Sequence, residues 1–300
     1  MKVFVTGATG FVGSATVLEL IKGGHKVLGL ARSEANAKTL KDMGAEVHRG
    51  DLENLPSLVE GANACDGVIH TGFIHDFSRF KEMCEVDRRA INAMGQAYKG
   101  SKRPLIVTSG VAHVSIGNVA KESDVMPLSS ERYPRASEEA AGELTKAGVN
   151  VMGVRLSPSV HGEGDHGFVP MLIDIARKKG SSAYIEDGAN RWPAVHRFDS
   201  ARLYRLVLEK GESGARYHGV AEEGIAFREI AKAIGALLGL PVVSKSRDEA
   251  QEHFGWFVGF AGIDCPASNV WTRETLSWRP SEIGLLEDLA KGHYSGLGFA

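Results

Sequence analysis

The chain has 300 residues, 43% hydrophobic and 24% charged, an ordinary globular mixture that excludes a disordered chain. Its net charge of −2 gives no electrostatic reason to expect nucleic acid or an anionic membrane as a partner. Cys65, Cys84 and Cys265 are too few and too scattered for a disulfide framework or a metal knuckle, and they point to reduced thiols in a cytoplasmic protein.

In chain order, residues 2–5 are short, apolar and β-branched, as a buried strand is. A glycine turn follows at residues 7–13. Residues 12–21 have helical spacing and stop at Gly23-Gly24. Strands are expected at 26–31, 46–48, 67–71, 104–109 and 151–156, and helices at 34–43, 55–60, 80–98 and 135–146. Such alternation predicts an α/β fold, a doubly wound parallel sheet covered on both faces. After residue 157 the pattern loosens. Residues 157–168 carry three glycines and two histidines, and residues 191–199 read as a polar insert around Trp192 and Pro193. Helices follow at 200–208 and 227–238, with a short strand near 215–219. The division expected is a dinucleotide-binding domain of residues 1–157 and about 195–220, with a smaller substrate lobe of 158–194 and 221–300. The apolar cluster 254–257 reads as core of that lobe. No leader peptide is expected, and no run approaches the roughly 18 apolar residues of a spanning helix.

The strongest motif is TGATGFVG at residues 6–13, between the first strand and the first helix. Gly7 permits the sharp turn, Gly10 lets a pyrophosphate approach the backbone, and Gly13 lets the helix pack on its strand. Thr9, Phe11 and Val12 complete the loop, and the helix N-terminus offers N–H groups to phosphate oxygens. The end of the second strand chooses the cofactor. Binders of NAD place an acid there, whereas this chain has Arg32 and Ser33, which suit the 2′-phosphate of NADP; Glu34, two residues late, leaves NAD open. Asp51, followed by Leu52, could accept from an adenine amino group or cap the next turn. His70, Thr71 and Gly72 end the fourth strand, where Gly72 allows close approach of the cofactor.

With these pieces the chain resembles the short-chain dehydrogenase/reductase superfamily in its extended, NAD-dependent epimerase/dehydratase branch, over nearly its whole length. TGxxGxxG is that family's cofactor loop, and Gly50-Asp51-Leu52 looks like its adenine contact. Thr108-Ser109-Gly110 resembles the end of its fifth strand. RLSPSVHG at 155–162 resembles its RxxxVYG stretch, VHRFD at 195–199 its VHVDD segment, and LSWRP at 276–280 its LGWxP. The resemblance implies a catalytic YxxxK pair, and here the sequence departs from it. Tyr133 is followed by Ser137 where lysine belongs; aligning on Ser137-Glu138 instead puts Pro134 at the tyrosine position. Neither register restores the pair.

The expected activity is therefore hydride transfer between a nicotinamide and a carbonyl or alcohol of a small-molecule substrate, with non-standard catalytic residues. Ser109 and Tyr133 are expected to bind the reacting oxygen, with Arg135 as electrostatic support. His113, His161, Arg191, Trp192 and His196 are candidates to border the substrate. The histidines and acids of residues 161–166 lack the distant ligand pair that zinc usually has, so no metal is expected. A cofactor-binding sensor without turnover and a nucleotide-sugar epimerase or dehydratase are the alternatives. Relatives pair through their two long helices, which implies a homodimer.

Overall fold

A computed structural model describes residues 1–294. The first half alternates as its sequence pattern predicts: β1 (Lys2–Thr6), α1 (Phe11–Lys22), β2 (Lys26–Ala31), α2 (Glu34–Asp42), β3 (Glu46–Arg49), α3 (Leu55–Asn63), β4 (Gly67–His70), α4 (Phe80–Ala97), β5 (Leu105–Gly110), α5 (Ser137–Lys146) and β6 (Val151–Leu156). The second half adds β7 (Ser159–His161), α6 (Phe168–Lys179), β8 (Ser182–Ile185), β9 (Arg191–His196), α7 (Arg197–Lys210), β10 (Arg216–Gly219), β11 (Glu222–Ala226), α8 (Phe227–Leu238), β12 (Val242–Lys245), α9 (Arg247–Phe254), α10 (Val258–Ala261), α11 (Val270–Leu276) and α12 (Leu285–Ala290).

Seven strands form one parallel sheet in the order β10-β6-β5-β4-β1-β2-β3. The period-two alternation of a strand divides its side chains between two cores. Val3, Val5, Ile106 and Val154 face α1, α2 and α7, whereas Phe4, Val68, Leu105 and Val107 face α3, α4 and α5. Both faces are covered, which is why the strands read as unbroken apolar runs. The strand order reverses between β1 and β4, and that reversal opens a crevice at the carboxyl ends of these strands.

A three-stranded sheet, β11-β9-β7, and a two-stranded one, β12-β8, carry the smaller lobe around Trp192, Phe227, Phe254 and Phe257. Three expectations need correction. Residues 191–199 are not an insert but β9 and the first turn of α7. Helix α5 starts at Ser137, leaving Tyr133, Pro134 and Arg135 in the loop before it. The C-terminal segment does not belong wholly to the small lobe, because Leu276 and Trp278 are buried in the core of the large sheet. Trp278 donates its indole N–H to the Asp199 carbonyl at 3.0 Å, and the Asp199 carboxylate accepts from the backbone N–H groups of Ser281 at 2.9 Å and Glu282 at 3.1 Å. The VHRFD and LSWRP segments are thus a structural clasp. Among the described residues no helix is long and apolar enough to cross a membrane.

The packing of α1 on β1 leaves no room at Gly13, where a Cβ would lie 2.0 Å from the Gly7 carbonyl oxygen. Gly13→Ala is expected to destabilise the protein by about 1–3 kcal/mol in denaturant melts. Gly142→Ala, in α5 with nothing near its added methyl, should instead raise stability by up to about 1 kcal/mol. Equal effects of the two changes would refute the close-packing account.

Candidate cofactor and active site

The glycine loop joins β1 to α1 under the crevice. Gly7 adopts φ 63°, and a Cβ there would meet the Gly72 backbone at 2.7 Å. Gly10 is the N-cap of α1 and makes no side-chain cap, so no side chain covers the N–H groups of the first turn. Thr71 donates to the Thr6 carbonyl at 2.8 Å and ties the end of β4 to the loop. Leu52 packs beneath Gly72. A cradle of backbone, with an open helix N-terminus and no room for Cβ atoms, fits a dinucleotide diphosphate.

At the end of β2, Arg32 is exposed and makes no ion pair among the described residues. Ser33 caps α2, accepting from Asn36 N at 3.2 Å. Glu34 is held by Arg49 at 2.5 Å, and Arg49 also donates to the Ser33 carbonyl at 2.9 Å. Arg49 is a residue the sequence reading missed; its signal is a basic side chain at the end of β3, beside β2. Asp51 accepts from the backbone of Glu53 and Asn54 through Oδ1, both at 2.9 Å, while Asn54 caps α3. One oxygen of Asp51 is therefore committed to the turn.

The site's most ordered feature is a buried chain of hydrogen bonds. Gly72 N–H donates to Thr6 Oγ1 at 3.2 Å, and Thr6 Oγ1 lies 2.7 Å from His70 Nδ1. His70 Nε2 lies 3.0 Å from Asp87 Oδ1. Ser137 Oγ donates to Asp87 Oδ2 at 2.6 Å, and Arg135 Nε donates to Ser137 Oγ at 3.1 Å. Every group is satisfied by the tautomer with its proton on Nε2, assigned from this network. Burial alone would raise the Asp87 carboxyl. The bonds from His70 and Ser137 and the charge of Arg135 outweigh it and hold the group below its usual range. His70 and Ser137 are thus members of this chain.

Arg135 lies over the Phe73 ring at 4.4 Å and donates to the Thr108 carbonyl at 3.4 Å. Tyr133 stands beside it, half-buried, its ring 4.4 Å from that of His113. Burial pushes the Tyr133 phenol up to about 12, against the pull of Arg135. Its hydroxyl has no protein partner among the described residues. Tyr133 thus lies near both His113 and Arg135.

Ser109 is turned to another partner. It is 6% exposed and donates to Glu138 Oε1 at 2.6 Å. Glu138 is gripped by both arms of the fully buried Arg155, at 2.8 and 2.7 Å. The Ser109 hydroxyl is committed to that ion pair rather than free for a substrate oxygen. Arg191 is paired with Asp264 at 2.9 Å, and Trp192 lies in the small-lobe core with its indole N–H on the Phe260 carbonyl. His196 accepts from the Phe198 N–H at the start of α7. His161 lies 2.9 Å from Asp288, its ring 5.3 Å from that of His196. Arg191 and Trp192 are thus bound up in structural contacts, and His161 and His196 form a buried pair. Among the described residues no three His, Cys, Asp or Glu side chains gather as a metal site.

A wall of aromatic side chains runs from Arg135 toward the small lobe. The Phe73 and Phe80 rings are 6.1 Å apart, Phe77 stacks on Phe80 at 5.9 Å, and Phe77 meets Trp256 at 5.1 Å. Trp256, expected in the lobe's core, is 58% exposed.

Comparison with known proteins agrees with this geometry. The chain is 48% identical over 297 residues to an uncharacterised protein of Saccharomyces cerevisiae, covering 98% of this chain and 99% of that one. It is 27% identical over 261 residues to the 2-alkyl-3-oxoalkanoate reductase of Stenotrophomonas maltophilia, covering 82% of this chain and 78% of that one. Its fold is similar to that of dTDP-glucose 4,6-dehydratase from Streptomyces venezuelae solved with NAD, with a TM-score of 0.76 at 21% identity, covering 98% of this chain and 96% of that one. Residues 3–220 match the model of one family, and the chain belongs to it: the NAD dependent epimerase/dehydratase family.

Proposed function

We propose that the protein is an NADP-dependent reductase of a carbonyl carried on an apolar small molecule. The observation that carries this reading is the buried chain from Gly72 to Arg135, which ties the cofactor loop to a guanidinium beside Tyr133. NADPH, when bound, supplies the hydride. Arg135 stabilises the charge that develops on the carbonyl oxygen, and since arginine keeps its protons, Tyr133 gives that oxygen its proton. With its phenol pushed up to about 12, Tyr133 is a donor throughout the neutral range. The preference for NADP is supported by Arg32, free of any acid among the described residues, and by Arg49, which neutralises the rival Glu34. The Phe73, Phe77, Phe80 and Trp256 wall supports an apolar substrate rather than a sugar. A relative named as a reductase of 2-alkyl-3-oxoalkanoates agrees with that class.

Fluorescence titration with NADPH and NADH is the direct test. NADPH should bind at least tenfold more tightly, and Arg32→Ala should remove most of that gap, since a charged hydrogen bond to phosphate is worth about 1.5–3 kcal/mol. Preference for NADH, or for neither, would refute the cofactor assignment. With a panel of ketones bearing alkyl or aryl groups, Tyr133→Phe should lower kcat by about 10²–10⁴ with NADPH affinity unchanged. NADPH binding without consumption by any ketone would leave a cofactor-binding protein without turnover.

The pH profile is a second check. A phenol titrating near 12 stays protonated, so the chemical step of reduction should show no Tyr133-dependent loss between pH 6 and 10. The reverse oxidation, which needs the phenolate, should rise across that range. A fall in reduction near neutrality that Tyr133→Phe abolishes would show that the tyrosine is tuned downward instead.

A further inference from the structure

Arg197 opens α7 at the position where the VHVDD pattern has valine, and its side chain crosses to the glycine loop. Nη2 donates to Ser14 Oγ at 2.8 Å, on the first turns of α1, and Nη1 donates to the Glu163 carbonyl at 2.9 Å. The guanidinium carbon lies 4.5 Å from the centre of the Phe11 ring. The 162–167 loop is shaped around it. Gly162, at φ 130°, leaves space that a Cβ would fill 3.2 Å from the Arg197 Cγ.

Two features of this arginine are unexplained by the fold. It forms no ion pair with a carboxylate among the described residues; Glu163 and Asp165 act on it only at longer range, and burial outweighs them and disfavours its charge. Its Nε is buried and has no hydrogen-bond partner. A half-buried cation with no carboxylate in contact and an orphan N–H is stabilised by an anion brought beside it. The nearest place for one is the glycine loop it touches, whose helix terminus offers only the partial charge of backbone N–H groups.

We propose that Arg197 is a diphosphate-binding residue of the cofactor site, closing on the glycine loop from the α7 side and contacting the dinucleotide's phosphate oxygens. This rests on the dinucleotide-binding reading given above. The planar fork of arginine gives a diphosphate oxygen a charge-assisted hydrogen bond that valine at this position cannot. Its bond to the Glu163 carbonyl would make the 162–167 loop part of the same clamp, so the loop's order follows cofactor occupancy.

The test compares a ligand with the diphosphate and one without. NADPH is titrated by fluorescence, and adenosine 2′-monophosphate by calorimetry, against the wild type, Arg197→Met and Arg197→Gln. Both variants are expected to bind NADPH at least tenfold more weakly and adenosine 2′-monophosphate within twofold of wild type. The salt dependence of NADPH binding should also become shallower. Arg197→Lys, which keeps the charge, should recover most of the affinity and carries the test if the neutral variants do not fold. NADPH affinity within twofold of wild type in the neutral variants, or in Arg197→Lys a loss as large as theirs, overturns the proposal while leaving the cofactor reading intact. Equal losses for both ligands also overturn it, since they mark collapse of the loop. A wild type that binds no dinucleotide removes the cofactor reading and this proposal together.

Discussion

A carboxylate in the middle of the protein has to be answered on every side. Asp87 is 2% exposed, and nothing in the surrounding apolar core can solvate it. His70 and Ser137 satisfy its two oxygens, and each of them passes the constraint outward. Through His70 it fixes Thr6, and Thr6 holds Gly72 against the glycine loop. Through Ser137 it fixes Arg135 in the loop before α5. A buried polar network fully satisfied in this way is rigid, because each lost bond would leave an unpaired group at low dielectric. The loop that carries Arg135 and the glycine loop are thereby tied through one carboxylate.

That constraint shapes the loop around Tyr133. A serine at 137 is short enough to end its hydroxyl on Asp87, and it leaves the positive charge to Arg135, two residues earlier. The charge of Arg135 still reaches the carboxylate and helps to hold it ionised. The other segments that resemble family motifs have structural work. Arg155 neutralises Glu138, which in turn takes the Ser109 hydroxyl, and Asp199 closes the C-terminal segment around Trp278.

What was legible in the sequence was local. TGATGFVG could be read because its strand, turn and helix are contiguous, and β2, β6 and α8 fall where periodicity put them. The small lobe was opaque for physical reasons. Strand β9 is the centre of its sheet yet contains Pro193, which has no N–H for a ladder and argues against a central strand. The structure accommodates it because β7 pairs only from Ala194 onward, and β11 bulges between the partners of Ala194 and Trp192. No one-dimensional pattern announces such a gap. Likewise Ser109 sits at a strand end facing a crevice, the right address for catalysis. Its neighbour Glu138, on another element, captures its hydroxyl. Arg197 meets Ser14 across 183 residues, a contact that spacing arguments cannot reach.

The same point bears on charge. A net charge of −2 argues against a polyanion partner spread over the surface, but it says nothing about one crevice. Along the cofactor groove acids are neutralised and bases are left over. Glu34 is taken by Arg49, whereas Arg32 at the end of β2 and Arg197 over the start of α1 form no ion pair among the described residues. Under the proposed reading, Arg32 would meet a 2′-phosphate and Arg197 the diphosphate. Recognition there depends on which charges remain unmatched, and a sum over the chain conceals it.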